Sequence, residues 1–227
     1  MKKRKMYAEL AYLLGLLLLA IGTALMETAD FGMSMIVAPA YLLHLKLSQI
    51  WPFFSFGMAE YLFQAVLMIV LVLALRRFRW SYLVSILTAV LYGLMLDGCM
   101  ALAAQIPGGG MALRFACYIV GMVACSAGVA LLFNSYISPE VYELFVKELS
   151  LKYGVKIAYV KTAYDLASCA LAVILSFAFF GFGHFEGVKW GTVACAAVNG
   201  WIIGGFAAAF DKHFDVCDAL PLRRYLS

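Results

Sequence analysis

Long apolar segments recur along the whole chain and are separated by short polar segments. A stretch of about 20 apolar residues is long enough to cross the roughly 30 Å hydrocarbon core of a bilayer as a helix. Six segments reach this length, so the pattern predicts six transmembrane helices. Their bounds are 7–26, 53–75, 82–103, 113–133, 157–180 and 191–210.

A shorter element follows the fourth apolar segment. Ser138 is a typical N-cap residue, Pro139 is suited to the first helical position and Glu140 supplies an acid to the first turn. These residues predict a helix that ends at Gly154. Apolar and charged side chains fall largely on different faces, which favours a helix lying on the cytoplasmic surface. The charged residues of this helix are Glu143, Lys147, Glu148 and Lys152.

A corresponding element follows the first apolar segment but is far more apolar. It covers residues 34–47 and carries only His44 and Lys46 as ionisable groups. Two placements stay open for it, along the outer interface or dipping into the membrane as a re-entrant helix. Ser34 is expected to act as an ordinary cap. The alternative is that the helix start points at an anionic ligand.

The two halves of the chain repeat each other. At an offset of 104 residues, Ser34 falls on Ser138 and Leu62 on Leu166, and shifts of two or three residues extend the match to the flanking spans. Three spans per repeat is an odd number, so the second half must enter the membrane from the opposite side. The predicted fold is therefore an all-α membrane protein with six transmembrane helices in two inverted three-helix repeats, each with a short interfacial or re-entrant helix. The predicted units are 1–106, 107–212 and a cytoplasmic tail, 213–227.

Composition and charge agree with a membrane protein. Hydrophobic residues make up 65% of the chain and charged residues 13%, and the mean hydropathy is +0.93. Short cytoplasmic loops retain Lys and Arg. With both termini in the cytoplasm, only Lys46, Arg114 and Lys189 fall outside, and Lys161 lies within a span. The remaining basic residues are predicted inside: Lys2, Lys3, Arg4, Lys5, Arg76, Arg77, Arg79, Lys147, Lys152, Lys156, Lys212, Arg223 and Arg224.

Ionisable groups within the spans are the first candidates for function, because a charge at the bilayer centre costs at least about 2.5 kcal/mol unless it is paired or hydrated. The repeat sets Glu60-Tyr61 in the second span against Tyr164-Asp165 in the fifth. Two carboxylates at matching depths could bind a cation or a proton. Lys161 lies one turn before Asp165 and predicts an ion pair within the helix. The alternative is that these groups only neutralise one another.

The third and sixth spans carry a polar residue beside a glycine near their centres. Tyr92 and Asn199 occupy equivalent positions and are predicted to hydrogen-bond a solute. Gly200 and Gly204 form a GxxxG pattern, which favours close helix packing. Asp97 lies nearer the outer surface and is expected to be solvated.

Nothing in the sequence indicates an enzyme. It contains no HExxH, Walker or GxSxG motif and no paired zinc motif, and we expect no cofactor, metal or nucleic-acid partner. The six cysteines show no CxxC pairing and are expected to behave as small apolar residues.

The segment 15–34 (GLLLLAIGTALMETADFGMS), together with the acid-bearing second and fifth spans and the glycine-rich third and sixth, resembles the YczE/YyaS/YitT-like bacterial membrane proteins. The resemblance covers nearly the whole chain. It implies a six-span inner-membrane protein of bacterial origin and supplies no site residues.

These patterns favour a bacterial inner-membrane transporter for a small polar or cationic solute, coupled to an ion or a proton, that works by alternating access of the two repeats. The alternatives are a non-transporting accessory protein and an aquaporin-like channel. A homodimer or an accessory subunit stays open as a partner. The predicted binding residues are Glu60, Tyr61, Tyr92, Lys161, Tyr164, Asp165 and Asn199.

Overall fold

The computed structural model describes residues 4–79, 81–105, 110–155, 157–183 and 186–218. The predicted inner residues Lys2, Lys3, Lys156, Arg223 and Arg224 lie outside the described residues, as does the tail from 219. The described elements are β1 (Arg4–Tyr7), α1 (Ala8–Ala29), α2 (Ala38–Leu47), α3 (Phe56–Leu75), α4 (Ser81–Ala103), α5 (Met111–Phe133), α6 (Val141–Tyr153), α7 (Ile157–Phe180), α8 (Trp190–His213) and β2 (Phe214–Cys217).

The predicted all-α membrane class with six long apolar helices is confirmed, and the inverted repeat stays a prediction. Six helices, α1, α3, α4, α5, α7 and α8, are long and apolar enough to cross a membrane, and α2 and α6 are shorter. The described residues contain no closed sheet or barrel. The helix bounds differ from the predicted ones by up to three residues, mainly because helices continue past the apolar run into polar end residues. The protein is therefore a multi-pass helical membrane protein.

Helices α1 and α5 cross in close contact through glycine. A Cβ atom placed on Gly22 would lie 2.6 Å from the carbonyl oxygen of Gly121, and one on Gly128 would lie 2.7 Å from that of Gly15. The earlier glycine of α1 meets the later glycine of α5 and the later one meets the earlier, so α1 and α5 run antiparallel. Only residues without a side chain allow the two backbones to approach this closely.

Helix α4 runs alongside α1 in the same direction. The Tyr12 hydroxyl bonds the Thr88 hydroxyl at 2.7 Å, and Thr23 bonds Tyr92 at 3.0 Å further along both helices. Both pairs join polar side chains between two apolar spans. They fix the register of α4 against α1.

The start of α3 is fixed to α4 by a second glycine contact. A Cβ atom on Gly93 would lie 2.8 Å from the Gly57 carbonyl oxygen. Asp97 accepts hydrogen bonds from the Ser55 hydroxyl at 2.6 Å and from the Gly57 amide at 2.7 Å. Asp97 is therefore half-buried and not simply solvated, because its carboxylate binds the Ser55 hydroxyl and one free N–H group at the beginning of α3.

The two short helices begin in the interior of the molecule. Val37 and Ala38, at the start of α2, share a core cluster with Leu16 of α1 and Tyr92 of α4, both near the middle of their helices. The amide of Val141, at the start of α6, bonds Gln64 near the middle of α3. The start of α2 therefore lies among the long helices, as the start of α6 does.

The prediction that α6 is a surface helix with its charges on one solvent face is wrong. Glu148 is only 3% exposed and pairs with Arg77 at 2.8 Å, and Glu143 pairs with Lys161 at 3.2 Å. The helix also starts later than predicted, because Glu140 and not Ser138 occupies the N-cap. Similarly, Val37 and not Ser34 precedes α2. Basic residues on or beside α3 and α7 therefore hold the two acids of α6, while Lys147 and Lys152 are exposed.

Each short helix packs against both α3 and α7. Helix α6 thus lies beside the two spans that carry the predicted acids, and α2 lies beside the same two spans. The starts of both short helices are in this way brought to the centre of the helix assembly.

Helix α8 is the least embedded span. It packs against α5, while a Cβ atom on Gly200 or Gly204 would meet no described atom within 4 Å. The expectation that this GxxxG pattern packs closely is therefore not met within the described residues. On α4, by contrast, the equivalent Gly93 is in direct contact with Gly57.

The beginning and end of the described chain pair as strands. β1 and β2 run parallel, with Arg4 opposite Phe214 and Tyr7 opposite Cys217. The predicted tail therefore begins with a strand, Phe214–Cys217. The pairing also places the beginning of α1 and the C-terminal end of α8 on the same side of the molecule.

Candidate functional site

Two buried carboxyl groups share one amide donor at the contact between α3 and α6. The Gln64 amide nitrogen donates to Oε2 of Glu140 at 3.2 Å and to Oε2 of Glu60 at 3.4 Å. Glu60 and Gln64 are fully buried and Glu140 is 5% exposed. We call Glu60, Gln64, Glu140 and Tyr142 the acidic cluster.

The first turn of α6 completes the acidic cluster. The Tyr142 hydroxyl donates to Oε2 of Glu60 at 2.8 Å. The backbone amide of Val141 donates to the side-chain oxygen Oε1 of Gln64 at 3.0 Å. Gln64 therefore joins three partners, two on α6 and its flank and one on its own helix. Its single side chain couples the position of α6 to that of the carboxyl groups.

One oxygen of each carboxyl group has no partner. Oε1 of Glu60 and Oε1 of Glu140 are buried and accept no hydrogen bond. Within the described ranges, no Lys, Arg or His lies within 4 Å of either carboxyl group as an ion-pair partner. A buried carboxylate is costly without a counter-charge, so such a group takes up a proton or binds a cation. The acidic cluster has the chemistry of a proton or cation acceptor.

The environment of Glu140 favours its protonated form. Glu140 lies outside the six spans. Burial, with the nearby negative charges of Glu60 and Glu143, raises the pKa of Glu140 well above its usual value, against smaller opposing effects of Gln64 and Lys161. A carboxyl group of this kind binds its proton more tightly when the protein is folded than when it is unfolded.

Replacing Glu140 with glutamine is expected to stabilise the protein at alkaline pH. Because the pKa of Glu140 is raised on folding, its contribution to stability is fully present below the unfolded pKa, near 4.5, and is lost as pH rises through the folded value. The neutral amide keeps the shape and removes this loss. The apparent melting temperature of E140Q in detergent should exceed that of the wild type by more at pH 8 than at pH 5. If the difference in melting temperature between E140Q and the wild type is constant or becomes smaller as pH rises, Glu140 does not have a raised pKa in the folded protein.

A cavity of about 50 Å³ lies beside the acidic cluster. It is lined by the chain around the starts of both short helices, including Ser34 and Val37 from one and Glu140 and Glu143 from the other. A single water needs about 10–15 Å³ of such volume, so the space accommodates a few small atoms. Other lining residues include Leu19, Thr23, Ile36, Tyr92, Cys125, Val129, Leu132, Phe133, Tyr142 and Asn199.

A second charged group lies between α6 and α7. Lys161 pairs with Asp165 at 3.3 Å, which confirms the predicted ion pair within α7, and also pairs with Glu143 at 3.2 Å. The Tyr164 ring lies 6.4 Å from the Tyr142 ring. Tyr142 bonds Glu60, so the adjacent residues Tyr142 and Glu143 connect the two predicted acids without bringing them into direct contact.

Two of the other three predicted residues line the cavity, and the third lies apart from it. Tyr92 is buried, bonds Thr23 and lines the cavity. Asn199 also lines the cavity and accepts a 2.6 Å hydrogen bond from Ser126. Tyr61 packs against Gly93 on α4, apart from the acidic cluster. The binding roles of all seven predicted residues stay predictions.

Sequence reasoning missed Gln64, Glu140 and Tyr142 as site residues. Gln64 was recognisable as a polar residue one helical turn after Glu60 inside an apolar span. Glu140 was interpreted only as a first-turn acid, because a sequence with an acid after Ser-Pro is typical of an exposed helix start. No local signal shows that this helix start is buried.

The sequence of this chain matches one family. The DUF6198 family, described as a family of unknown function, is matched by residues 6–208, and the chain belongs to it. No curated protein and no solved structure matches the chain. The resemblance to the YczE/YyaS/YitT-like proteins stays a prediction.

Proposed function

We propose that this DUF6198 family member is a transporter of the bacterial inner membrane, with both termini in the cytoplasm, that moves a small polar or cationic solute together with an ion or proton. The resemblance to the YczE/YyaS/YitT-like proteins is part of this proposal. Glu60 and Glu140 are the proposed acceptors of the cation or proton. Tyr92, Asn199 and Tyr142 line or border the solute site.

One observation carries the proposal: two carboxyl groups are buried side by side without a basic partner and next to a cavity. A purely structural pair would be expected to have a nearby Lys or Arg, as Glu143 has Lys161 and Glu148 has Arg77. Ionisable groups inside a membrane protein are by default functional candidates. Glu143 and Glu148, which have basic partners, fit a structural role. Glu60 and Glu140 have none among the described residues and fit a role in binding.

The packing of the two halves supports alternating access. In the first half, α3 and α4 meet through Gly57 and Gly93 and are joined by Asp97. In the second half, Lys161 occupies the position equivalent to Gly57, and the space around Gly200 of α8 is open within the described residues. Unequal packing of two related halves is expected when a pathway is closed on one side and open on the other.

Two alternatives are less well supported. An accessory protein would use the charges of α6 to bind a partner, but Glu143 and Glu148 are held by internal ion pairs. An aquaporin-like channel would place two half-helices at the centre, and the starts of α2 and α6 do line one cavity. The channel is therefore the second candidate. It differs from a transporter in that its flux is not coupled to a proton gradient.

The test is a transport assay in proteoliposomes that contain a pH-sensitive dye. A panel of alkali cations, ammonium, small amines, amino acids and polyols is added outside under an imposed pH gradient. At least one solute should change the internal pH faster than in protein-free liposomes. E60Q and E140Q should each remove this signal, because neither amide can exchange a proton. D165N tests the partner acid predicted from the repeat.

Glu27 supplies the matched control. It is a partly buried carboxyl group of α1 that bonds Tyr41 at 3.4 Å and does not line the cavity. E27Q should retain the transport signal. If every solute fails to change the internal pH, or if E60Q and E140Q keep full activity, coupled transport through the acidic cluster is wrong. Solute flux that ignores the pH gradient would favour the channel.

A further inference from the structure

The cavity beside Glu140 has one polar side and one apolar side. Glu140 is more than nine-tenths buried, and its Oε1 atom has no hydrogen-bond partner. Most of the remaining cavity surface is apolar, and its aliphatic side chains come from α1, from α5 and from the residues just before α2. These are Leu19, Ile36, Val37, Val129 and Leu132.

This surface does not suit a bare metal ion. Ca²⁺ takes six to eight oxygen ligands and Mg²⁺ takes about six. The polar groups of the cavity are already largely occupied, since Thr23 bonds Tyr92 and the Asn199 oxygen accepts from Ser126. Among the described residues, no group of three or more His, Cys, Asp or Glu side chains could hold a metal ion.

The same surface does suit a cation that carries an apolar part. An ammonium group has three donors and can bind a carboxylate oxygen by a charge-assisted hydrogen bond. A short alkyl chain on the same molecule would contact the aliphatic wall. The volume of about 50 Å³ limits the ligand to about three or four non-hydrogen atoms.

We infer that the cavity binds a small primary alkylammonium ion, of the size of methylammonium or ethylammonium, with its ammonium group on the carboxyl group of Glu140 and its alkyl group against Ile36 and Leu132. This inference names the substrate class of the proposed transporter and rests on that proposed function. The ligand of the cavity is thus an amphipathic cation and not an alkali ion or an uncharged solute.

Binding of this ion is linked to release of a proton. The cation binds the ionised carboxyl group, and the raised pKa of Glu140 means that the group first loses its proton. Affinity should therefore increase with pH, by up to about tenfold per pH unit. The increase should stop at the pH where Glu140 is already ionised in the empty site. The titratable and charged groups near Glu140 are Tyr12 on α1, Glu60 on α3, Tyr92 on α4, Cys125 on α5, Tyr142 and Glu143 on α6, and Lys161 on α7.

Isothermal titration calorimetry of the purified full-length protein in detergent tests the inference. The probes are the chlorides of methylammonium, ethylammonium, tetramethylammonium, sodium and potassium, at equal ionic strength and at pH 6, 7 and 8. The first two should bind with saturation and more tightly at higher pH. E140Q should weaken binding by at least about tenfold, because a charge-assisted contact is lost. E27Q should bind as the wild type does.

A second variant tests the apolar side of the cavity without changing its charge. I36F enlarges a partly exposed lining residue, so ethylammonium should lose more affinity than methylammonium. This comparison stands even if E140Q does not fold. Equal binding of sodium or potassium, binding that E140Q leaves intact, or equal losses for both amines in I36F would each overturn the inference.

The results separate the inference from the proposed function. If a solute is transported with dependence on Glu60 and Glu140 but no alkylammonium ion binds, the substrate class is wrong and the transporter stands. If an alkylammonium ion binds at Glu140 but no coupled flux of any solute is seen, the ligand site stands and the transporter is wrong.

Discussion

Valine in place of Gly22 is expected to prevent α1 and α5 from packing. A Cβ atom at this position would lie 2.6 Å from the Gly121 carbonyl oxygen and 2.7 Å from the Cys125 amide nitrogen. Both are backbone atoms and cannot rotate away, so the two helices must separate. Overpacking of this kind costs about 1–3 kcal/mol where side chains can adjust, and we expect the upper end or more here. At roughly 2–4 °C per kcal/mol, the apparent melting temperature should fall by about 6–12 °C.

The measurement is thermal unfolding of the fluorescently tagged protein in detergent, with size-exclusion chromatography after heating as the readout. G121V should behave like G22V, because a Cβ atom on Gly121 would lie 2.7 Å from the Gly22 carbonyl oxygen. The matched control is G200V, where no described atom lies within 4 Å of the added Cβ. If G22V and G200V melt together, the close approach of α1 and α5 is not what the structure describes.

Leucine in place of Gln64 is expected to loosen the first turn of α6 and lower the stability of the whole protein. Leucine has nearly the same size but leaves the Val141 amide and Oε2 of Glu140 without their partner. An unsatisfied buried group costs about 1–3 kcal/mol, so the two together should cost about 2–6 kcal/mol. Glu60 keeps its bond from Tyr142 and is less affected.

Two measurements distinguish this effect from a general loss of packing. The melting temperature of Q64L should fall, and hydrogen–deuterium exchange should become faster in the first turn of α6. The matched control is Q49L, because Gln49 is exposed beyond the end of α2. Unchanged exchange in α6 with a lowered melting temperature would show that Gln64 does not hold this helix start.

The glycine contacts show how far sequence patterns predict packing. An offset of 106 residues sets Gly15 on Gly121 and Gly22 on Gly128, and the structure brings Gly15 against Gly128 and Gly22 against Gly121. A GxxxG pattern gives close packing only when another helix is present at that face. Gly57 meets Gly93 across α3 and α4, but Gly200 meets no described residue. The pattern predicts the capacity for contact, and the positions of the other helices decide whether contact occurs.

The charges of α6 show a limit of a different kind. Acids and lysines spaced along a helix are typical of a solvent-exposed face, and this interpretation placed α6 on the surface. Glu148 is instead held by Arg77, and Glu143 by Lys161. Both partners are distant in sequence from the acids that they hold, and they lie beside α3 and on α7. Periodicity within one helix carries no information about such partners, so buried and exposed charges look alike in the sequence.

The sequence by itself determined the membrane setting, the number of spans and the presence of two short helices, because the length of an apolar run must match the thickness of the bilayer whatever the surrounding fold. It also marked Glu60 as an unusual charge. Only the tertiary structure decided that Glu60 and Gln64 lie with Glu140, because the start of α6 is buried against α3. Burial of a polar group depends on which helices surround it, and that arrangement follows from contacts between residues far apart in the chain.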